Sequence, residues 1–243
     1  MAQTSRKTGR VEWVEDLLAG YYERTGKFPA GTMTQGFVSH VPLEDGHVAV
    51  WTHAGGAVSS PDPDLAAGLS ALIANHDPAD HMALFPAWRD EIDRPLSGAK
   101  CFYFAMLYWA PGSGHQASAD PRIVPLGVED IWTNNEKEPP EFRHILGIRD
   151  GDTVASWAFA RPMFDVYGDT FHSVGARTHE SYRRRGLGKS VVLAILDRIA
   201  EDGTLATWEC RADNVPSYKL AMSCGFVEYA WTLMWNPPGK DWR

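Results

Sequence analysis

Four cations, Arg183, Arg184, Arg185 and Lys189, fall within one short stretch interrupted by Gly186 and Gly188 and closed by Ser190. Cations on one turn attract a polyanion, and glycines let backbone amides approach it closely. Such a run can also be a plain solvated turn. Its place in the chain argues for more: a strand-like segment ends just before it, and a strongly apolar helical pattern opens at Lys189. A helix N-terminus carries amides without intrahelical partners and the positive end of the helix dipole. The residues therefore read as a cradle for a diphosphate, formed by the amides of Arg184, Arg185, Gly186, Leu187, Gly188, Lys189 and Ser190.

A second run, Asn214-Val215-Pro216-Ser217-Tyr218-Lys219-Leu220-Ala221-Met222-Ser223-Cys224-Gly225-Phe226, also sits where a strand passes into a helix. Asn214 ahead of Pro216 reads as a helix N-cap. Just upstream lies Trp208-Glu209-Cys210-Arg211. A carboxylate such as Glu209, partly desolvated in a cleft, has its pKa raised and can take a proton near neutral pH. Beside Arg211 it reads equally as a surface ion-pair partner.

R-x-x-G-x-G at 183–188 followed by N-x-x-S-x-x-L-x-x-x-x-G-F at 214–226 resembles the acyl-CoA-binding core of the GCN5-related N-acetyltransferases, the GNAT superfamily. The resemblance spans residues 121–236. It implies acetyl-CoA, or another acyl-CoA, as co-substrate and no metal. It further implies that Ala176, Arg177 and Thr178 contact the pantetheine arm, that Arg183 orients the phosphate turn, and that Asn214 and Ser217 touch the arm. The segment around Glu209 is similar to the L-E-V-R-x-x-N strand of ribosomal-protein N-acetyltransferases, which gives Glu209 the role of general base. Many relatives carry Tyr directly after the Leu of the second motif, where this chain has Ala221. Tyr218, one helical turn earlier, is then the candidate acid, with core packing as its other reading and Ser217, Ser223 or water as further donors. The Trp208-x-Cys210 pair with Ala221 is similar to the FR47-like branch and to resistance-type acetyltransferases that modify amino-bearing antibiotics such as zwittermicin.

The resemblance implies an N-acetyltransferase acting on a primary amine of a small molecule, an amino acid derivative, peptide or antibiotic. Acetylation of protein N-termini or lysines is an alternative within enzymes. A non-catalytic acyl-CoA sensor is the alternative from another class, raised by Ala221.

Composition narrows the partners. The 243 residues are 44% hydrophobic and 12% aromatic, enough to bury a substantial core. A net charge of -8 disfavours a nucleic-acid partner, whose phosphates call for a basic face. No apolar run reaches the ~18 residues of a membrane span and the first ten residues are polar, so a cytoplasmic protein without a membrane partner is expected. Cys101, Cys210 and Cys224 are too few and scattered for a disulfide framework or zinc site, and His76 with His81 reads as a loop pair. Ten Trp and eight Tyr in an acidic chain suit a pocket for a cationic, partly apolar amine. A monomer or homodimer is expected.

Periodicity places the elements. Helical spacing covers residues 11–23, 63–75 and 82–92 in the first half, with a strand at 47–52, a turn at Gly55-Gly56 and a strand at 101–109 buried on both faces. Residues 110–120 are linker-like, and 134–141 form a charged loop. Beyond the linker the pattern reads strand 122–126, short helix 128–133, strands 144–149, 153–164 and 170–178, helix 189–200, strand 205–211, helix 216–223 and strand 226–235, with a tight turn at Asp150-Gly151-Asp152. That order is a mixed α/β sheet. It agrees with a GNAT fold at residues 120–236, preceded by an α/β region at 1–115, which two-lobed relatives suggest is a degenerate GNAT-like lobe or a substrate-shaping region, and followed by a tail at 237–243.

Overall fold

The computed structural model describes residues 36–39, 48–52, 55–60, 62–74, 89–112, 120–132, 140–162 and 171–236. Along the chain these form β1 (Gly36–Ser39), β2 (Val48–Thr52), β3 (Gly55–Ser59), α1 (Pro63–Ala74), β4 (Lys100–Trp109), β5 (Ile123–Pro125), β6 (His144–Asp150), β7 (Thr153–Pro162), β8 (Phe171–Thr178), α2 (Leu187–Glu201), β9 (Leu205–Arg211), α3 (Val215–Ser223) and β10 (Val227–Asn236). The mixed α/β class agrees with the periodicity, as does the element order from residue 120 onward, whereas β1 and β3 are strands the periodicity did not mark. The helix expected at 11–23, most of the one at 82–92, the His76–His81 pair, most of the linker at 110–120 and of the loop at 134–141, and the tail at 237–243 lie outside the described residues.

The chain divides into two compact units. One holds Leu107–Glu209 and Asn214–Glu228; the other holds the described residues up to Met106, with Cys210–Asp213 and the chain from Tyr229. In the first unit the strands run in the order β9-β8-β7-β6-β5, antiparallel from β5 to β8 and parallel between β8 and β9. The β6–β7 hairpin closes with Asp150 opposite Thr153 and Gly151 at φ 59°. A positive φ at the first central residue matches the right-handed strand twist, as a two-residue hairpin requires. The parallel step from β8 to β9 needs a crossover, and α2 supplies it.

α2 is apolar over most of its surface because it packs against β6, β7 and β8. Val191, Val192, Ile195, Leu196 and Ile199 are fully inaccessible, each such burial contributing about 1.5–3 kcal/mol. The helix stops at Gly203, whose φ of 69° suits the left-handed residue beyond a C-cap. Its amide donates to Ala200 and that of Thr204 to Ile199, satisfying carbonyls the helix end would leave unpaired.

In the second unit the order is β1-β3-β2-β10-β4, with β1–β3 parallel and β2 antiparallel to both β3 and β10. Gly55 and Gly56 are not a turn, as expected from their type, but the start of β3. Thr52 pairs with Gly55 and Trp51 with Gly56, so strand pairing overrides the local preference of glycine. Asp62 caps α1, its Oδ1 accepting from the amides of Asp64 and Leu65 at 3.1 Å each. α1 rests on β1 and β3 through Ala66, Leu69 and Ile73.

Candidate cofactor cleft and active site

β8 and β9 pair only at their beginnings, Phe171 with Leu205, His172 with Ala206 and Ser173 with Thr207. From Val174 onward β8 keeps its bonds to β7 alone among the described pairings, so a gap opens towards the C-terminal ends of β8 and β9. The carbonyl of Arg177 faces β7, where the Ser156 hydroxyl donates to it at 3.3 Å. Strand alternation turns the polar backbone groups of Ala176 and Thr178 into the gap, available to an extended chain lying there.

The gap leads to the arginine turn. Arg184 at φ 61° and Gly186 at φ 78° both take left-handed backbone. Arg184 holds that conformation at a cost of roughly 1–2 kcal/mol, as strained turns at ligand sites do. The first hydrogen bond of α2 runs from the Ser190 amide to the Gly186 carbonyl at 3.1 Å. The amides of Leu187, Gly188 and Lys189 precede this ladder and face outward at the positive end of the dipole. Gly188 is needed for space, because a Cβ would lie 3.1 Å from Thr178 Oγ1 and 3.7 Å from Leu220 Cδ2. Its absence lets α2 seat directly on β8 and α3.

A hairpin brace holds the turn from outside. The Tyr182 hydroxyl donates to Asp150 Oδ2 at 2.8 Å, the Arg185 guanidinium stacks over the Tyr182 ring at 5.4 Å, and its Nη2 donates to the Ser181 carbonyl at 3.0 Å. His179 meets Tyr182 edge-on at 5.9 Å and its amide donates to the Ala155 carbonyl. The hydrogen bond to Asp150 holds the Tyr182 phenol above its ordinary pKa. Arg183 reaches back so that its Nε donates to the Thr178 carbonyl at 3.4 Å.

The resulting cleft encloses about 1080 Å³. It brings together Ala176, Arg177, Thr178, the turn from Arg183 to Lys189, Asn214 and Ser217. Three expected residues do not line it. Ser190 directs its hydroxyl to the Gly186 carbonyl. Tyr218 donates its hydroxyl to Glu228 Oε2 at 2.9 Å. Glu209 is exposed on β9, where alternation turns it to the face opposite Trp208. Arg211, two residues further along β9, directs its fork to Asp213.

Beyond the expected residues, Glu180, Ser181, Tyr182, Pro216 and Leu220 line the cleft, and so does Trp208. Its indole donates to Ser217 Oγ at 3.1 Å and its ring meets Phe226 at 5.6 Å. The alternation Trp208-in, Glu209-out was the available signal. Asn214 caps α3 through Ser217 N–H at 3.3 Å while also lining the cleft, so its two readings coexist.

Residues 104–226, about half the chain, match the family model of the Acetyltransferase (GNAT) family. The chain belongs to the GNAT acetyltransferase family. Acetyl-CoA-dependent acetylation comes with that membership. Among solved structures this GNAT protein is similar to one from Novosphingobium aromaticivorans described as of the GNAT family, with 20% identity over 59% of this chain and 69% of that one and a TM-score of 0.46. It is similar to a GNAT-family acetyltransferase from Colwellia psychrerythraea, with 13% identity, coverage of 75% and 76% and a TM-score of 0.43. A protein from Salmonella typhimurium solved with its cofactor acetyl-CoA shares 15% identity over 42% of this chain and 68% of that one, with a TM-score of 0.33. No curated protein matches the chain.

The donor set of this GNAT acetyltransferase fits acetyl-CoA. Outward amides and four cations suit a diphosphate, and the open backbone edge of β8 suits an amide-bearing arm. Among the described residues no group of three or more His, Cys, Asp or Glu could hold a metal ion, and no helix is long and apolar enough to cross a membrane. Burial pushes the Cys224 thiol up to about 11, which leaves it a protonated packing group rather than a nucleophile.

Proposed function

We propose that the protein transfers an acetyl group from acetyl-CoA to a primary amine of a small molecule. The observation that carries this reading is the gap between β8 and β9, which has the phosphate turn at one end and Glu209 on the strand that borders it. The amides of Leu187, Gly188 and Lys189, with Arg184, Arg185 and Lys189, hold the diphosphate. Ala176 and Thr178 align the arm, and Asn214 and Ser217 close its other side. Acetyl-CoA supplies an activated acyl carbon and a thiolate leaving group.

Glu209 takes the proton that the ammonium must lose before its nitrogen can attack. Ser217 is better placed than Tyr218 to protonate the departing thiolate. Its hydroxyl lines the cleft and accepts from the Trp208 indole, so its own proton remains to be given, whereas the Tyr218 proton is committed to Glu228.

Calorimetry with acetyl-CoA, combined with thiol release over a panel of amines, tests the proposal. Glu209→Gln is expected to lower kcat by about a hundredfold or more while leaving acetyl-CoA affinity intact. Unchanged turnover would remove Glu209 from the role. A second reading, an acyl-CoA sensor, draws on Ala221, which is fully buried where many relatives carry a Tyr. Tight binding without turnover on any amine would favour it.

A further inference from the structure

β7 buries its smallest side chains completely and its largest only in part. Ser156, Ala158 and Ala160 are wholly inaccessible, while Trp157 and Phe159 between them are only half-buried. A strand with purely structural duties does the reverse, because burying an aromatic ring removes far more apolar area from water than burying an alanine. The faces explain the pattern. Ser156 bonds Thr178 across the strands at 2.8 Å, and Thr178 abuts Gly188 of α2, so the small residues lie under the helix. Trp157 and Phe159 occupy the opposite face.

Register carries that face to the gap. Trp157 lies beside Arg177 and Phe159 beside Gly175, while Ser173 lies beside Thr207. Two residues beyond Thr207, Glu209 shares the same face at the level of Gly175. Phe142 meets Phe159 edge-on at 5.1 Å and Trp157 leans on Phe159 at 5.9 Å, forming a three-ring wall. Gly175 lets the wall lean towards β9, since a Cβ there would collide with the Phe159 ring. Two paired-strand spacings, about 10 Å, are the least separation of the Phe159 and Glu209 backbones, and the opening between β8 and β9 adds to it. The lean of the wall over Gly175 and the reach of the Glu209 side chain shorten the span to one that an aryl ring on a short alkyl tether to its nitrogen fits. Arg161 and Arg177 share the face, and their charges disfavour polycations.

We propose that Trp157, Phe159 and Phe142 form the subsite for the acceptor's side chain, and that the acceptor is an arylalkylamine carrying a single positive charge, its ring on the wall and its nitrogen at Glu209. This assignment rests on the amine-acetylation reading given above. Thiol release is measured with phenethylamine and tryptamine against putrescine and an aminoglycoside. The arylalkylamines should show kcat/KM about tenfold higher, and Trp157→Ala should remove that advantage through KM. Phe159→Leu, a milder change, should act in the same direction. Unaltered CoA affinity by calorimetry shows that each variant is folded. Preference for the polycations, or equal losses on phenethylamine and putrescine, overturns the assignment. If no amine is turned over, the amine-acetylation reading fails separately. Calorimetry of phenethylamine on the CoA-saturated protein then decides the wall: binding weakened by Trp157→Ala supports it, and no binding to the parent protein overturns it.

Discussion

Gly186→Ala isolates what the backbone of the proposed phosphate turn demands. Gly186 stands at φ 78°, ψ −8° ahead of α2, and no atom lies within 4 Å of where its Cβ would be. The cost of a methyl there is therefore conformational alone. Left-handed backbone costs an L-residue roughly 1–2 kcal/mol. The stiffer unfolded chain of the alanine variant returns about 0.4–1 kcal/mol. The balance is a destabilisation of about 1 kcal/mol, or a fall in Tm of about 2–4 °C for a chain of this size. Where the free turn escapes this strain by leaving the conformation, the cost passes from Tm to CoA binding, which must restore it, with an upper limit of about a fivefold rise in the Kd for CoA. Thermal unfolding and calorimetry with CoA read both effects. Gly186→Asn is the control: asparagine tolerates left-handed backbone, so it should recover most of the loss. At Gly188 the order should invert. That Cβ would press on Thr178 and Leu220, so the larger asparagine should be worse than alanine. An alanine variant at 186 with parental Tm and CoA affinity, or an asparagine variant no better than alanine, would refute the reasoning.

The hairpin brace predicts a split in kinetics: Asp150→Ala should raise KM for acetyl-CoA and leave kcat within about twofold, while Asp150→Asn, whose carbonyl still accepts the Tyr182 hydroxyl, stays near the parent. Asp202 predicts an acid limb in stability. Partial burial works against its ionisation, but hydrogen bonds from His144 and Arg143 outweigh that and hold its carboxyl below the ordinary 3.8. A depressed carboxylate pKa adds stability above the ordinary value and loses it as pH falls through the folded value, so Asp202→Asn should flatten the fall in Tm in that acid range and matter less than linearly at high salt. Cys224, with its thiol near 11, should react slowly with a thiol reagent at about pH 8 until the protein is unfolded, and prompt labelling of the native protein would contradict its burial.

Much of the fold could be read ahead of the coordinates because the relevant signals are local. The spacing of Val191, Val192, Ile195, Leu196 and Ile199 states a helix covered on most sides, and Asp150-Gly151-Asp152 states a tight turn. Gly55-Gly56 shows where local preference misleads: pairing with β2 and β1 draws both glycines into a strand. The arginine turn was equally visible, since cations, glycines and a helix start are neighbours in the chain. The choice between Tyr218 and Ser217 was not, because both lie on one helix and only the positions of Glu228 and Trp208 tell which hydroxyl faces the cleft.

Taken by itself, the sequence determined the succession of elements beyond the linker, the position of the glycine-interrupted arginine turn and the family. Those properties follow from dihedral preference, periodicity and adjacent charges, all of which act over a few residues. Tertiary structure decided where β8 and β9 part, that Asp150 braces Tyr182 across 32 positions, and that Trp157, Phe159 and Glu209 share one face. These depend on strand register, which is set by the sum of distant contacts. A shift of one residue would have turned every one of those side chains the other way.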